Sequence, residues 1–286
     1  MANETLLTNV AGLVPDIKAE TLMILQDQAG ILDTLRVRDA SSVPGSTVDF
    51  PVYGTVASGD VTSKTEGTAV ATNKQITNAA VQALVAEKFI ATFLSWLAAK
   101  SANVDLIRDI STLFGSAMMA KMEDDVVGLF SGFTQTQAGA TVTLTLDHIF
   151  GAIAGLKAAS APMNELYGVI SPKQYWGAKG LRAIIVDADA DSGGLGEEMK
   201  NKGFLSDGFS IKWMVSNEIN ENVAAGGDAA GAIYAKGALG LGHKGLFDLD
   251  IQKEVRNLGI DIVGYGYWCG IEIYNNWGYY VLSDVS

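Results

Sequence analysis

The chain has 286 residues, 48% of them hydrophobic and 18% charged, so it can bury a sizeable core as one large or two modest subdomains. Lys and Arg number 20 against 32 for Asp and Glu, and the net charge of -12 argues against a clamp for nucleic-acid phosphates. The single cysteine, Cys269, cannot form an internal disulfide, so nothing indicates an oxidising compartment.

No leader and no membrane span are predicted. The first 20 residues lack a basic flank followed by an apolar core, which a signal peptide requires. The strongest apolar run, residues 89–99, is about half the ~20 residues that cross a bilayer. The expectation is a soluble protein that is made inside the cell and does not contact a membrane.

The first 90 residues divide into an arm and a hairpin. Residues 1–40 carry apolar side chains without a lasting period, apart from a short helix predicted over residues 15–28. Alternating apolar residues near 48–52 and over 76–85 then predict two strands of a long hairpin. Its tip, residues 57–74, has almost no apolar side chains to order it. We therefore expect the tip to lie on another molecule.

Residues 103–130 keep a helical apolar period for many turns. Asn103 can cap the first turn and Gly128 with Gly132 can end the helix. Such a helix would be roughly 40 Å long and could serve as a spine for other elements. The stripe contains Val104, Ile107, Ser111, Phe114, Met118, Met122, Val126 and Leu129.

The second half of the chain alternates strands and helices before it ends in strands. A Thr-rich strand is predicted over residues 140–145, and a helix capped by Asp147 follows to residue 159. A buried strand over 166–170 leads to a helix that starts at Ser171 and Pro172. Further strands are predicted over 209–215 and 232–234 and from residue 247 onward, with a turn at 256–259 and an aromatic-rich end.

The sequence lacks the motifs of enzymes. His148 and His243 are far apart and have no neighbours at zinc-ligand spacing. A Gly-x-Ser-x-Gly elbow, a phosphate-binding Gly-Lys-Ser/Thr loop and a dinucleotide fingerprint are all missing. The sequence predicts neither a catalytic residue nor a cofactor.

One acidic loop has partial calcium-site spacing. Asp187, Asp189, Asp191 and Glu198 occupy positions 1, 3, 5 and 12 of a calcium loop. Ser192, however, stands where the sharp turn needs glycine. A solvated acidic loop is the competing interpretation.

Charged residues at tips and helix ends are candidate contact sites. Glu123 and Asp124 lie near the C-terminal end of the predicted spine helix, where the helix dipole disfavours carboxylates. They either form a solvated face or pair with a Lys or Arg of a neighbour. The same choice applies at the hairpin tip and at the late turn, to Lys64, Glu66, Arg256 and Asn257.

These elements, in this order, resemble the major capsid protein of tailed phages, which has the Hong Kong 97-type coat fold. The hairpin has Pro51 on its first strand and Glu66-Gly67 past its tip, and it returns through Lys88 into residues 89–97. The spine helix ends in Glu123-Asp124 and a glycine. The resemblance implies an α+β fold with an N-terminal arm (1–45), an extended hairpin loop (46–88), a peripheral domain with the spine helix (89–160), an axial domain (161–244) and closing strands of the peripheral domain (245–286).

The same resemblance implies a function in a virion. Hexamers and pentamers would form an icosahedral shell around double-stranded DNA, without sequence-specific binding, and would assemble in the host cytoplasm. The hairpin would lie over a neighbouring subunit, and residues 256–259 would lie near symmetry axes between capsomers. Some relatives crosslink a hairpin lysine to an asparagine, and the matching residues are Lys64 or Lys74 and Asn257. A separate scaffolding protein and a portal are the implied partners.

Three alternatives stay open at this stage. An encapsulin-like compartment would share the fold and hold enzyme cargo in place of DNA. A calcium-dependent surface or adhesion protein would be built around Asp187 and Glu198. An enzyme without recognisable motifs is the third.

Overall fold

The computed structural model describes residues 30–54, 56, 58–64, 66–67, 74–97, 106–182, 207–223 and 227–286. These residues form an α+β fold, as the sequence predicts. The helix predicted over residues 15–28 and the candidate calcium ligands Asp187, Asp189, Asp191 and Glu198 lie outside the described residues.

Twelve strands and three α-helices have both ends within the described residues, and residues 96–97 and 181–182 are also helical. The strands are β1 (Arg36–Asp39), β2 (Thr47–Tyr53), β3 (Asn78–Leu84), β4 (Ala86–Ser95), β5 (Gln135–Ala138), β6 (Leu166–Ile170), β7 (Asp207–Gly208), β8 (Ile211–Val215), β9 (Asp228–Ala235), β10 (Leu239–Glu254), β11 (Gly259–Glu272) and β12 (Gly278–Asp284). The helices are α1 (Leu106–Val127), α2 (Leu146–Ala158) and α3 (Pro172–Trp176).

The strands form three sheets. A four-stranded sheet has the order β1-β10-β11-β4, a six-stranded sheet has the order β5-β12-β9-β6-β8-β7, and β2 pairs with β3 in a sheet of two described strands. The long antiparallel pair of β10 and β11 is the centre of the four-stranded sheet. The predicted turn at its end spans residues 255–258.

Helix α1 is the predicted spine. Its 22 residues make a rod of about 33 Å, and the chain continues into a 3₁₀ turn at Gly128–Gly132. Phe114, Met118, Met122 and Val126 of the predicted stripe are each at most 5% exposed. They belong to one buried cluster with side chains of both large sheets, among them Phe247, Leu249, Ile262, Tyr167 and Tyr234. Side chains of both sheets therefore pack against the apolar stripe of one helix.

Helix α2 begins differently from the prediction. Thr145, rather than Asp147, is the N-cap, and its backbone N–H donates to Nδ1 of His148 at 3.2 Å. The strand predicted over residues 140–145 is wrong, because the strand is β5 and residues 139–145 form a turn and the approach to the helix. Positive φ angles at Ala138 and Thr141 turn the chain out of the sheet. Local turn geometry therefore overrides the β-propensity of the threonines.

A second core covers one face of the six-stranded sheet. Ile149, Ala152 and Leu156 of α2 are fully buried and share a cluster with side chains of β6, β8, β9 and β12. Ser171 caps α3 as predicted and accepts a hydrogen bond from the backbone N–H of Gln174 at 3.1 Å. These contacts fix both helices on the sheet.

The strand pairing can be compared with the five predicted parts of the chain, which are the arm, the hairpin loop, the peripheral domain, the axial domain and the closing strands. Strand β12 pairs with β5 and β9 in the six-stranded sheet, although residues 245–286 were expected to accompany the spine helix. β12 has a partner on each side there, so both edges of its backbone are paired within the six-stranded sheet. Strand pairing alone does not define domains, and the division into arm, hairpin, peripheral and axial parts stays a prediction.

Strand β1 joins the edge of the four-stranded sheet in parallel with β10, and its Asp39 lies opposite His243. The ring nitrogen Nδ1 of His243 is buried and has no hydrogen-bond partner among the described residues. It lies 3.9 Å from a carboxylate oxygen of Asp39. Burial lowers the pKa of His243, and the charge of Asp39 opposes this effect. The neutral ring is therefore the form that the folded chain prefers.

The stripe of α1 can be tested by truncation. Met118→Ala should lower the free energy of unfolding by about 2–5 kcal/mol, because it removes a buried side chain and leaves a cavity. Leu113→Ala is the matched control on the same helix, since Leu113 is 64% exposed, and it should change stability by less than about 0.5 kcal/mol. Urea unfolding of both variants measures the difference. Equal losses would contradict the assignment of the buried face.

The pH dependence of stability tests the position of His243. Its folded-state pKa lies below its unfolded value of about 6.5, so the unfolded chain takes up the proton first as the pH falls. The stability linked to this ring is therefore complete above pH ~6.5 and is lost below it. His243→Asn should show a smaller loss of stability than the unaltered chain between pH ~7 and ~5. Parallel pH profiles of the two proteins would contradict this.

Candidate intersubunit surfaces

Most of the hairpin tip is exposed where the structure describes it, although Asp60 is partly buried. Val61 is 78% exposed, and the predicted contact residues Lys64 and Glu66 are also exposed. Lys74 donates to Asp60 of the same tip at 2.9 Å, so it is engaged within the hairpin. The tip therefore offers apolar and charged side chains that the described part of its own chain does not cover.

The base of the hairpin, in contrast, is anchored on its own chain. Val48 and Phe50 are buried and lie directly over Gly242 and Gly240 of β10, where an added Cβ would come within 2.8 and 2.9 Å of them. The sequence-based prediction of a contact with another molecule concerns the tip, residues 57–74, whereas the base is held by its own chain. Two glycines in β10 create the flat floor that receives the base.

Three cations hold the main chain at the hairpin root. Arg36 donates to the carbonyl of Pro51 at 3.4 Å, and Arg38 donates to the carbonyl of Asp49. Lys244 donates to the carbonyls of Val43 at 2.6 Å and of Gly45. These contacts set the direction in which the hairpin leaves the four-stranded sheet. Sequence reasoning missed them, because nothing local distinguishes these cations from solvated ones.

The acidic end of α1 is paired within its own chain. Lys121 forms ion pairs with Asp124 and, at 3.0 Å, with Asp125, and these carboxylates raise the pKa of Lys121, with Asp124 contributing most. Asp125 also lies 3.3 Å from Lys88 of β4 and accepts a hydrogen bond from the indole of Trp268 at 2.9 Å. A neighbour's cation is thus not needed to balance Asp124.

Of the predicted contacts at this end, Glu123 is half-buried. Its role between subunits, like that of Asp124, stays a prediction. Within the chain, the contacts of Asp125 with Lys88 and Trp268 connect the end of the spine helix to β4 and β11 of the four-stranded sheet.

The turn between β10 and β11 carries an exposed apolar group. Arg256 and Asn257 are exposed, as expected for contact candidates. Val255 and Leu258 flank them, and Leu258 is 59% exposed at a φ of 52°. A leucine is costly in this left-handed region and gains little there from burial in its own chain. Leu258 is therefore an exposed apolar side chain in a costly backbone conformation.

An open trough lies on the face of the four-stranded sheet. Its volume is about 580 Å³, and its lining includes Phe93 and Tyr265 as well as Asp250 and Asp261. Phe89, which is 72% exposed, lies opposite Tyr265 in the next row of the same face. The sequence showed residues 89–99 only as an apolar run. Once the run is known to be a strand, the spacing of two between Phe89, Ala91 and Phe93 places them together.

The described residues offer no alternative site for metal chemistry. No group of three or more His, Cys, Asp or Glu side chains among them could hold an ion. His148 serves in the cap of α2, and His243 lies beside Asp39. Across this part of the chain, no helix is both long and apolar enough to cross a membrane.

Comparison with known proteins shows which solved structures share this architecture. No protein-family model and no curated protein sequence match the chain. The capsid of the cyanophage P-SCSP1u has 16% sequence identity and a TM-score of 0.68, over 90% of this chain and 88% of its own. A structure of Mycobacterium phage Che8 has 15% identity and a TM-score of 0.64, over 86% and 88%.

A virus-like particle from Pyrococcus furiosus has 11% identity and a TM-score of 0.62, over 94% of this chain and 98% of its own. Sequence identities this low establish a common fold and leave function to be argued separately. The similarity nevertheless covers almost the whole length of each chain. The chain therefore has the Hong Kong 97-type coat fold that its sequence elements resemble.

Proposed function

We propose that the chain is the major capsid protein of a tailed double-stranded DNA phage. The observation that carries the proposal is a coat fold from which a hairpin projects, with a base fixed to its own chain and a tip that the described residues leave uncovered. In a protein that works as a single copy, such an exposed tip would contribute little to stability. In a closed shell, many identical weak contacts of this kind add up.

In this proposal the copies form hexamers and pentamers of an icosahedral shell. The tip with Lys64 and Glu66 lies on the next subunit. The turn with Arg256 and Asn257 meets other copies near symmetry axes, and Glu123 and Asp124 face a neighbour at the end of α1. A crosslink between Lys64 and Asn257 is a further possibility of the same arrangement. Lys74 is less suited to one, because it is engaged with Asp60.

The shell would enclose DNA without reading its sequence. A net charge of -12 is consistent with a wall that does not grip phosphates, since tight non-specific binding needs clustered cations. A separate scaffolding protein and a portal would assist assembly in the host cytoplasm. No catalytic role is part of the proposal.

An encapsulin-like compartment is the second candidate, and the similarity to the Pyrococcus furiosus virus-like particle favours it. Both candidates form shells, so the contents decide between them. Particles purified from the native source should contain nuclease-sensitive DNA if the first is correct. Protein cargo without DNA would establish the second.

Removal of the hairpin tip tests the proposed assembly. A variant with residues 57–74 replaced by a short Gly-Ser turn should fail to form particles, because the contact with the next subunit is lost. β2 and β3 remain in this variant, so its melting temperature should stay close to that of the unaltered subunit. Sedimentation velocity and negative-stain electron microscopy measure assembly. Normal particles from this variant would show that the tip is not needed for assembly.

The β10–β11 turn gives a second test that separates folding from assembly. Leu258→Asn should leave the subunit as stable as before or slightly more stable, because asparagine tolerates a positive φ better than leucine. The same change removes an apolar contact worth about 1.5–3 kcal/mol if it is buried between copies. The concentration needed for assembly should therefore rise at least about tenfold.

Leu258→Met is the matched control, because it keeps the apolar surface and should assemble normally. Light scattering over a concentration series gives the assembly threshold for both variants. If Leu258→Asn assembles like Leu258→Met, the turn does not take part in a contact between copies.

A further inference from the structure

The two edges of the four-stranded sheet differ in how they are protected. β1 forms one edge and β4 forms the other. Three of the four residues of β1 are charged, and its two arginines also donate to carbonyls of the hairpin. Charged side chains and covering segments are means by which natural sheets prevent strand addition. The edge of β1 is therefore closed.

The edge of β4 lacks such protection. Residues 89–95 include no charged residue, no proline and no glycine. Phe89 is 72% exposed and Phe93 is 45% exposed, and no other described strand pairs with this edge. Lys88 does not guard it, because its side chain forms an ion pair with Asp125 of α1. An exposed apolar edge of this kind is a template for another strand.

The hydrogen bonds of β4 show which residues direct their main chain outward. The N–H of Trp96 bonds towards β11, to the carbonyl of Leu258 at 2.9 Å. In an antiparallel ladder the N–H and C=O of one residue point to the same side, and successive residues alternate. The register of β4 with β11 continues without a shift over the whole of β4. The residues that direct their main chain outward are therefore Glu87, Phe89, Ala91, Phe93 and Ser95.

These outward residues form a set that is symmetric about Ala91. In a two-fold antiparallel pair centred there, Ala91 lies opposite Ala91 of the second copy, and Phe89 lies opposite Phe93. Each such pair can exchange two hydrogen bonds, and every outward residue has a partner. Aromatic residues that face each other across two strands stabilise a sheet. Glu87 lies opposite Ser95, so this register places no like charges together.

We propose that β4 pairs in antiparallel fashion with β4 of a second copy of this chain, across a two-fold axis at Ala91. The proposal rests on the proposed shell function, because a shell of hexamers and pentamers needs contacts that join one ring to the next. The axis is perpendicular to the sheet, so helix α1 of each copy lies on the same side of the joined sheet. Such a pair has two distinct faces, as the wall of a closed shell requires.

The exposed side chains favour a second copy over a strand of different sequence. Since Lys88 turns towards α1, Phe89 and Phe93 lie on the opposite face of the sheet. Phe93 lines the trough on that face, and Tyr265 of β11 lies opposite Phe89. In the two-fold pair, the aromatic stripes of the two copies become continuous, and each covers apolar surface of the other. A polar strand would leave these rings exposed to water.

Cysteine crosslinking on the full chain tests the two-fold register. The Cα atoms of a hydrogen-bonded pair are about 5.5 Å apart. Ala91→Cys should therefore crosslink with itself through a short bismaleimide and give covalent dimers on denaturing gels. The native Cys269 is buried, so the unaltered chain should stay monomeric on the same gels. Absence of the dimer for Ala91→Cys, in particles and in concentrated subunits alike, would overturn the proposal.

Glu87→Cys and Ser95→Cys are the matched controls, because both positions lie at the ends of β4, away from the axis. Two copies of either cysteine would be about 27 Å apart along the paired strands and should not crosslink. A mixture of the two variants should instead give a dimer with one chain of each kind, which mass spectrometry identifies. Self-crosslinking of either control at the yield of Ala91→Cys would contradict this register.

Ala91→Pro tests the pairing of the main chains. Proline removes one outward donor from each copy and leaves the hydrogen bonds between β4 and β11 in place, because the N–H of Ala91 points away from β11. Ala91→Ser is the matched control, since it keeps the N–H. The proline variant should need at least about tenfold more protein to form dimers or particles. Its unassembled subunit should melt close to the temperature of Ala91→Ser. Equal association of the two variants would overturn the proposal.

The crosslinked samples also separate this proposal from the shell function. Shells that form normally without a crosslink in Ala91→Cys would leave the shell function in place and overturn the β4 pair. Crosslinked dimers of a chain that never forms shells would support the β4 pair and contradict the shell function.

Hydrogen exchange of the dilute, unassembled subunit identifies a competing occupant of the edge. The outward amides of Phe89, Ala91 and Phe93 should exchange rapidly there, whereas the inward amides of Ile90 and Thr92 are held by β11. In particles the outward amides should exchange at least about tenfold more slowly. Outward amides that are already protected in the dilute subunit would be bound by another segment of the same chain, and this result would overturn the proposal.

Discussion

The apolar stripe of α1 is the packing on which the rest of the structure depends. Phe114, Met118 and Met122 belong to one core with side chains of both large sheets, so the helix packs against both sheets at once. Protein interiors are packed too densely for such a joint to slide. Asp125 adds polar contacts at the end of the helix, where it accepts a hydrogen bond from Trp268 and forms an ion pair with Lys88. The helix and the four-stranded sheet therefore form one rigid platform.

The hairpin is built on that platform and divides into two parts with different physics. Its base is an intramolecular structure, in which Val48 and Phe50 pack on a strand whose glycines leave room for them. Among the described residues, nothing comparable lies under the tip, and most of its described side chains are exposed. Since polar loops gain little from their own packing, the tip is the part for which we propose a contact with another copy. The boundary between the two parts lies where the apolar residues of β2 end.

The exposed features of this chain are consistent with the proposed contacts between copies. Leu258 occupies a costly backbone conformation without burial, Phe89 stands on an open sheet face, and β4 has an unprotected edge. Each of these would be a defect in a lone soluble protein, because apolar patches and bare edges promote association. In a symmetric assembly the same features are closed by copies of the chain. The fold and its surface thus support the same functional conclusion.

The sequence by itself determined the elements whose patterns are local: the period of α1, the alternation in β2 and β3, and the cap at Ser171. Their order was enough to indicate the coat fold. Only the tertiary structure decided which strands share a sheet, that residues 139–145 turn instead of forming a strand, and that Asp124 is balanced by Lys121 of its own helix. The physical reason is that periodicity reports which face of an element is buried. Strand partners, ion pairs and open edges depend on residues far apart in the chain, and no local pattern records them.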